Sequence, residues 1–283
     1  MGTSTDIGKA IIRAAVPRPV RNWLRSPSRS AQWIWDAAAF SLGATRTLSL
    51  PPGWPIVCHP HFYMVVRQAQ VEDPEQAREF ESFVRYCTPE MFLFDIGAHF
   101  GIFSLAAAHF GGRSIAVDPS PIATKMIATE CMLNGASSHI QILRAAVSDA
   151  CGTVAMLSSG VFSDGYFKFA KGRSKSDLTN ARAFTLDQMA AQYGNPSHIK
   201  IDVEGHEAAV LRGARSTLAQ SAPTLFLELH NQIAASEGID PRSPLNELAS
   251  FGYVAYAVDG RTLSSEEILS RSIVRIIATR RSS

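Results

Sequence analysis

Phe92-Leu93-Phe94-Asp95-Ile96-Gly97-Ala98-His99-Phe100-Gly101 is the stretch that decides how this chain folds. A short apolar strand ends in a carboxylate. Two glycines follow four positions apart, and an apolar run of helical character begins. Glycine lets a backbone turn sharply and come close to a ligand. The dinucleotide loop reads G-x-G-x-x-G, whereas here an acid leads and only Gly101 follows Gly97. Such an acid suits a ligand that carries positive charge better than it suits a pyrophosphate.

Outward from this stretch the chain alternates strand and helix. The pattern predicts a helix over roughly Ile102–Phe110, a strand over Ser114–Asp118 and a helix opened by Ser120-Pro121 that runs to Asn134-Gly135. Strands follow at Ile140–Ser148, His198–Val203 and Thr224–Leu229, with a helix over Gly205–Leu218. Alternation of this kind builds a parallel sheet with helices on both faces. Strands at Tyr253–Val258 and Ser272–Ala278, joined through Asp259-Gly260, add a terminal antiparallel hairpin. Residues from about 152 to 183 break the rhythm with glycines, serines and lysines, and read as a hairpin or loop insertion near the ligand face.

The residues before 91 differ in character. All four tryptophans lie there, and Lys9, Arg13, Arg18, Arg21, Arg25 and Arg29 occur with no acid between Asp6 and Asp36. A basic, Trp-containing segment suits peripheral contact with an anionic membrane surface. It equally suits a helical arm packed on the catalytic domain or on a second subunit of an oligomer, and this packed reading is preferred. Residues 55–69 read as short strands. Asp73-Pro74 opens a helix, with Phe80, Phe83, Val84 and Cys87 on one stripe. The division expected is an extension over 1–90 and a ligand-binding domain over 91–283.

Composition narrows the classes. With 283 residues, 46% hydrophobic and 18% charged, the chain has a sizeable globular core. Its 27 basic and 25 acidic side chains give no global pull toward nucleic acid. The four cysteines form no C-x-x-C or zinc spacing and read as thiols of a reducing compartment. No stretch approaches ~18 uninterrupted apolar residues. A cytoplasmic location is expected.

In open α/β sheets ligands sit beyond the carboxyl ends of the strands, and acids stand at those ends here. Asp95 ends the first strand and Asp118 the second, 23 residues on. A carboxylate at Asp118 suits both hydroxyls of a ribose. Ala145-Ala146-Val147 can line an adenine slot, with Ser148 or Asp149 reaching the exocyclic amine. The fourth strand leads into Asp202-Val203-Glu204-Gly205-His206-Glu207, where alternation points Asp202 and Glu204 the same way. Two like charges side by side call for a cation, a substrate or a proton between them. The fifth strand ends Glu228-Leu229-His230-Asn231, and an imidazole there is a candidate general base. His99 and His206 sit in ligand-facing turns. Together these groups frame a pocket for S-adenosylmethionine (SAM), through Asp95, Gly97, Ala98, Gly101, Asp118, Ser148 and Asp149.

The segments Phe94-Asp95-Ile96-Gly97-Ala98 with Gly101, Val117-Asp118-Pro119, Ala145-Ala146-Val147-Ser148-Asp149, Thr185-Leu186-Asp187, Ile199-Lys200-Ile201-Asp202-Val203-Glu204-Gly205-His206-Glu207 and Val210-Leu211-Arg212-Gly213-Ala214 resemble the FkbM family of SAM-dependent methyltransferases. The family commonly has Asn where this chain has His99 and Glu where it has Asp118. The resemblance implies a doubly wound, mostly parallel, seven-stranded Rossmann-like α/β sheet with a C-terminal antiparallel hairpin, here preceded by a helical and β extension. It also implies O-methylation of a hydroxyl on a sugar, glycolipid or secondary metabolite. The catalytic residues expected are Glu204 or His230 as base and Asp202 as orienting group, with no metal assigned. A divalent-metal methyltransferase using Asp202, Glu204 and Glu228 is one alternative. A non-catalytic SAM-binding protein is another, and a nicotinamide-dependent oxidoreductase is disfavoured by the missing glycine pattern. The acceptor is a small molecule or glycan, and nucleic acid is not expected.

Overall fold

A computed structural model of the chain describes residues 27–158, 167–169 and 178–280. The basic arm from Lys9 to Arg25 lies outside the described residues, and of Arg29 only its place in the first helix backbone is described. The chain opens with helix α1 (Pro27–Ser41), the antiparallel pair β1 (Arg46–Leu50) and β2 (Trp54–Cys58), and helices α2 (Pro60–Glu72) and α3 (Pro74–Val84). The alternating part follows: β3 (Phe92–Ile96), α4 (Ile102–His109), β4 (Arg113–Val117), α5 (Pro121–Leu133), β5 (Ile140–Leu143) and β6 (Ala146–Val147). Strands β7 (Gly152–Ser158), β8 (Phe167–Phe169) and β9 (Leu178–Phe184) come next. After them run α6 (Leu186–Tyr193), β10 (His198–Ile201), α7 (Glu207–Arg212), α8 (Arg215–Gln220) and β11 (Thr224–Leu229). The chain closes with α9 (Asn231–Ser236), α10 (Ser243–Ser250), β12 (Tyr253–Ala257), α11 (Ser265–Leu269) and β13 (Val274–Arg280).

The main sheet has seven strands in the order β12-β13-β11-β10-β3-β4-β5. Strands β11, β10, β3, β4 and β5 are parallel, and β13 pairs antiparallel with both β11 and β12. The doubly wound sheet with its antiparallel end is the expected one. The order reverses between β3 and β10, so the crevice for a ligand opens at their carboxyl ends.

Strand parity sorts the chemistry. Phe94, Ile96, Ile199, Ile201, Leu225, Leu227 and Ile276 point to one face and form a core with α6, α7 and α8. Leu93, Ala116, Phe226 and Ile277 point to the other face, where Leu48, Ile56, Phe62, Phe80 and Phe83 from the first elements join them in a second core. Asp95, Lys200, Glu228 and Arg275 share that second parity, with Lys200 opposite Asp95 and Arg275 opposite Glu228 in register. These four charged groups thus lie on the face that α3 covers, where Glu79 meets Lys200 and Arg275.

Three expectations change. Residues 60–69 form helix α2, not strands: the His59 ring accepts from the His61 amide and Pro60 starts the first turn, so the segment is capped as a helix. The strand expected over Ile140–Ser148 divides, β5 staying in the main sheet and β6 pairing with β9 in a second sheet of order β6-β9-β7-β8. Among the described residues of 152–184, β7 pairs antiparallel with β8 and β9, in keeping with the hairpin alternative expected there. The helix expected over Gly205–Leu218 is broken between α7 and α8 at Gly213, where a Cβ would overlap the Ser148 carbonyl oxygen. Asp73 caps α3 as expected, accepting from the amides of Glu75 and Gln76. Of the cysteines, Cys58 and Cys131 are buried, Cys87 is half-buried and Cys151 is exposed. No helix among the described residues is long and apolar enough to cross a membrane.

Candidate active site

A cavity of about 210 Å³ lies at the carboxyl ends of β3, β4 and β10, and Asp95, Gly97, Ala98, Asp118, Asp202 and Glu204 all line it. Gly97 stands at φ +76°, and a Cβ there would overlap the Asp202 carbonyl oxygen. This glycine lets the β3 and β10 loops touch. Gly101 sits behind the cavity as N-cap of α4, at φ +79°, with Ile127 3.1 Å from where its Cβ would be. His99 and Glu204 hold φ +50° and +54°, two of three non-glycine residues with positive φ among the described residues. Such strain persists where the surroundings enforce it and gathers at ligand sites. His, like Asn, tolerates this left-handed region better than most residues, so His99 meets the backbone demand of this position.

The acids are buried and engaged. Asp95 Oδ2 accepts from the Ser104 hydroxyl at 2.7 Å and its amide at 3.2 Å, and burial pushes its carboxyl up to about 6. Asp118 accepts from the His99 amide at 2.9 Å and the Ser120 amide at 2.8 Å, one on each oxygen. Burial raises it to about 7, with Asp95 and Asp202 adding repulsion. Ser120 caps α5 by accepting from Ala123, which leaves Asp118 facing the cavity. Each Asp118 oxygen keeps a second lone pair for a ligand donor, whereas on Asp95 both Ser104 bonds fall on Oδ2 and leave Oδ1 for one.

Asp202 and Glu204 converge on His230, though not by strand alternation, because β10 ends at Ile201 and Glu204 turns back at its positive φ. His230 Nε2 lies 3.8 Å from Asp202, 4.0 Å from Glu204 and 3.6 Å from Glu228. Its Nδ1 is 2.9 Å from Glu207 Oε1, which also accepts from the Gly205 amide. Burial pushes the imidazole down, but these carboxylates outweigh it and hold it up at about 9. Glu228 is gripped by Arg275 at 2.8 and 3.1 Å. Lys200 Nζ, also in the cavity lining, is 2.8 Å from Glu79 Oε1 of α3, and Glu79 Oε2 is 3.3 Å from Arg275. Burial works against the Lys200 ammonium, yet Glu79, Asp202 and Glu228 keep its pKa raised. Burial drives the Glu79 carboxyl upward against the pull of Lys200.

Ser148 and Asp149 stand elsewhere. Ser148 Oγ lies 3.1 Å from His206 Nε2, Asp149 pairs with Arg212 at 2.9 Å, and neither lines the cavity. The neighbouring Ala145, Ala146 and Val147 do line it, joined by Met156 of β7. Glu79, Lys200, Glu207 and Arg275 form the frame that the strand-end reading missed. A buried Lys in a parallel strand followed by Asp, and a Glu on the apolar stripe of α3, were the signals available.

The donor set decides which ligand fits. The cavity offers acceptors from Asp95, Asp118, Asp202 and Glu204, and its lysine is already held by Glu79. That suits the ammonium, sulfonium and ribose hydroxyls of SAM and opposes a pyrophosphate. Fold and cavity thus suit a positively charged nucleoside cofactor at the strand ends of a doubly wound sheet. The chain belongs to the methyltransferase FkbM domain family, whose profile matches residues 95–255, more than half its length. The chain therefore carries a methyltransferase domain, for which SAM is the expected cofactor.

Solved structures resemble the chain at low identity. An FkbM methyltransferase from Methylobacillus flagellatus KT is 12% identical, with 76% of this chain and 60% of that one covered and a TM-score of 0.44. The chain thus spans under two thirds of that protein. An O-methyltransferase from Bacillus cereus, solved with SAH, is 12% identical over 98% of this chain and 97% of that one, with a TM-score of 0.43. A precorrin-6y C5,15-methyltransferase from Geobacter metallireducens GS-15 is 14% identical over 73% and 88%, with a TM-score of 0.42. No curated protein matches the chain.

Proposed function

We propose that this enzyme methylates a hydroxyl of a small molecule or glycan, and that Asp202, Glu228 and His230 hold a divalent cation that prepares that hydroxyl. One observation carries the metal reading: the three residues offer ligand atoms all within 4.8 Å of one another at the cavity edge. The charge around them agrees. Asp202, Glu204, Glu207, Glu228 and Glu79 are five carboxylates set against two permanent cations, Lys200 and Arg275. Uncompensated acids in low dielectric are costly, so the cluster wants positive charge. Hard oxygens with one imidazole suit such a cation.

Bound SAM supplies an electrophilic methyl on a sulfonium. A cation at this cluster supplies Lewis acidity that lowers the pKa of an acceptor hydroxyl. The chain's own residues do the rest. Asp118 receives the ribose hydroxyls and Asp95 helps to neutralise the amino acid end. Gly97, Ala98 and Gly101 keep the loop close, and Ala145 to Val147 with Met156 flank the base. Glu204 orients the acceptor hydroxyl in line with the methyl and takes its proton.

A second reading omits the metal and gives proton removal to His230 or Glu204. Glu207 anchors Nδ1 of His230 and aims Nε2 at the site. A resting imidazole held up near 9 is mostly protonated at neutral pH, so His230 must give up that proton to serve as base, as it must to ligate a cation. The test is labelled-methyl transfer into a producer-cell extract, read by mass spectrometry, before and after dialysis against EDTA. Loss of transfer with SAH binding retained, and recovery on adding Mg²⁺ or Mn²⁺, is the expected result. Undiminished transfer after EDTA overturns the metal reading.

A further inference from the structure

One end of the cavity is acidic and the other is almost free of charge. Beyond the strand ends its wall is built by Val65, Val66 and Ala69 of α2, Ala77 and Phe80 of α3, and Phe103 of α4. The only polar side chains that α2 and α3 present there are the amides of Gln70 and Gln76. Every charged residue of the lining comes instead from a strand end or its loop. The two alanines are the smallest groups on this wall and stand half-buried, so they leave room rather than fill it. Phe80 and Val66 are buried behind them.

We infer that the acceptor carries an apolar body that packs on the α2–α3 wall, with its reacting hydroxyl directed at Asp202 and Glu204. This rests on the methyl-transfer reading above and narrows it. A bare sugar turns a hydroxyl in every direction, and each one needs a partner when it leaves water. Two amides cannot serve them. An aliphatic chain or ring system asks only for apolar contact, and four of the six wall residues named are valine or alanine, with Phe80 and Phe103 closing the end. Ala69 and Ala77 are then specificity-determining residues: the volume they leave open is the volume the acceptor's body fills.

The experiment uses the full chain saturated with SAH and titrated calorimetrically with two probes, methyl β-D-glucoside and hexyl β-D-glucoside. The hexyl compound is expected to bind about tenfold tighter or more, the effect of burying roughly two of its extra methylenes. Ala69→Trp and Ala77→Trp should abolish that preference while leaving SAH affinity within about twofold. Val65→Gln, which keeps the volume but makes the wall polar, serves the same purpose should a tryptophan prevent folding. Equal affinity for the two glucosides, no binding of the hexyl compound, or a preference that survives the wall variants overturns the inference. So does loss of SAH in folded wall variants, since the wall would then belong to the cofactor. Failure of the unmodified chain to bind SAH is a different outcome. It overturns the methyl-transfer reading itself.

Discussion

Replacing Gly97 by alanine separates the two reasons for a glycine at this loop. Gly97 and Gly135 both have positive φ, +76° and +66°. An alanine in that region costs about 1–2 kcal/mol from backbone strain alone. At Gly135 a Cβ meets nothing within 4 Å, so Gly135→Ala should cost that and no more. At Gly97 the Cβ would overlap the Asp202 carbonyl oxygen, so the β3 and β10 loops must move apart. Overpacking of this kind adds about 1–3 kcal/mol. Gly97→Ala should therefore cost about 2–5 kcal/mol in urea unfolding. It should also weaken SAH by about tenfold or more, because the loop that moves carries Ala98, next to the groups that hold the cofactor. Gly135→Ala, at the far end of α5, should bind SAH as the unmodified chain does. Equal unfolding free energies and equal SAH affinities for the two variants would refute the close approach as the reason for Gly97.

Asp118→Ala should weaken SAH by about 1–3 kcal/mol through unpaired ribose hydroxyls, and unmodified affinity in calorimetry removes the ribose assignment. The pH response follows from the same side chain. Asp118 is raised to about 7, so it is ionised and a full acceptor above that pH and protonated below it, and SAH affinity should fall about 25-fold from pH 7.5 to 5.5. Asp118→Asn should flatten that profile, and a profile that stays steep in the variant assigns the titration to another group. Lys200→Met leaves Glu79 buried beside one cation fewer and should cost about 3–5 kcal/mol in thermal or urea unfolding, with Glu79→Gln in the same chain recovering part of it. Glu204→Gln should keep SAH affinity and lower kcat by about 10²-fold or more. A parallel loss of binding and rate would place Glu204 in the cofactor pocket instead.

The sheet was legible because its signals are local. Apolar strands ending in acids, Ser120-Pro121 and Asp73-Pro74 at helix starts, and Gly97 and Gly101 after β3 each report their own neighbourhood. Most of what the sequence hides concerns partners far apart in the chain. Ser148 and Asp149 belong by position to a strand end, yet they turn to His206 and Arg212, 58 and 63 residues away. Thr185-Leu186-Asp187 carries part of the family resemblance, with no role legible in it. In the fold Asp187 accepts from the amides of Ser216 and Thr217 and so caps α8, 30 residues on. The pairing of Glu79 with Lys200 cannot be seen in periodicity, because Glu79 sits on an otherwise apolar stripe. Residues 60–69 were misjudged at close range, since an imidazole as N-cap is an uncommon helix start.

Strand parity explains why the chemistry lies on one face and why α3 takes part in it. Asp95, Lys200, Glu228 and Arg275 point to the same side because they occupy matching positions on adjacent strands. Left alone under a helix, Asp95 and Glu228 would repel one another and Asp202. Lys200 and Arg275 offset them, and Glu79 then bridges the two cations through its two oxygens. Frame and site are therefore one electrostatic unit. The frame fixes Lys200, and Lys200 in turn supports the ionised form of Asp95 and Asp202. Negative charge still exceeds positive at the cavity: burial raises both Asp95 and Asp118, and at Asp118 the charges of Asp95 and Asp202 add to it. A cofactor bearing an ammonium and a sulfonium reduces that excess where it is greatest. Its binding should draw protons off these acids, so SAM uptake should release protons in proportion to the fraction of Asp95 and Asp118 protonated beforehand. Calorimetry in two buffers of different ionisation enthalpy reads that release directly. A buffer-independent enthalpy near pH 6.5 would show that the acids are already ionised in the free enzyme, and that the excess charge is balanced elsewhere.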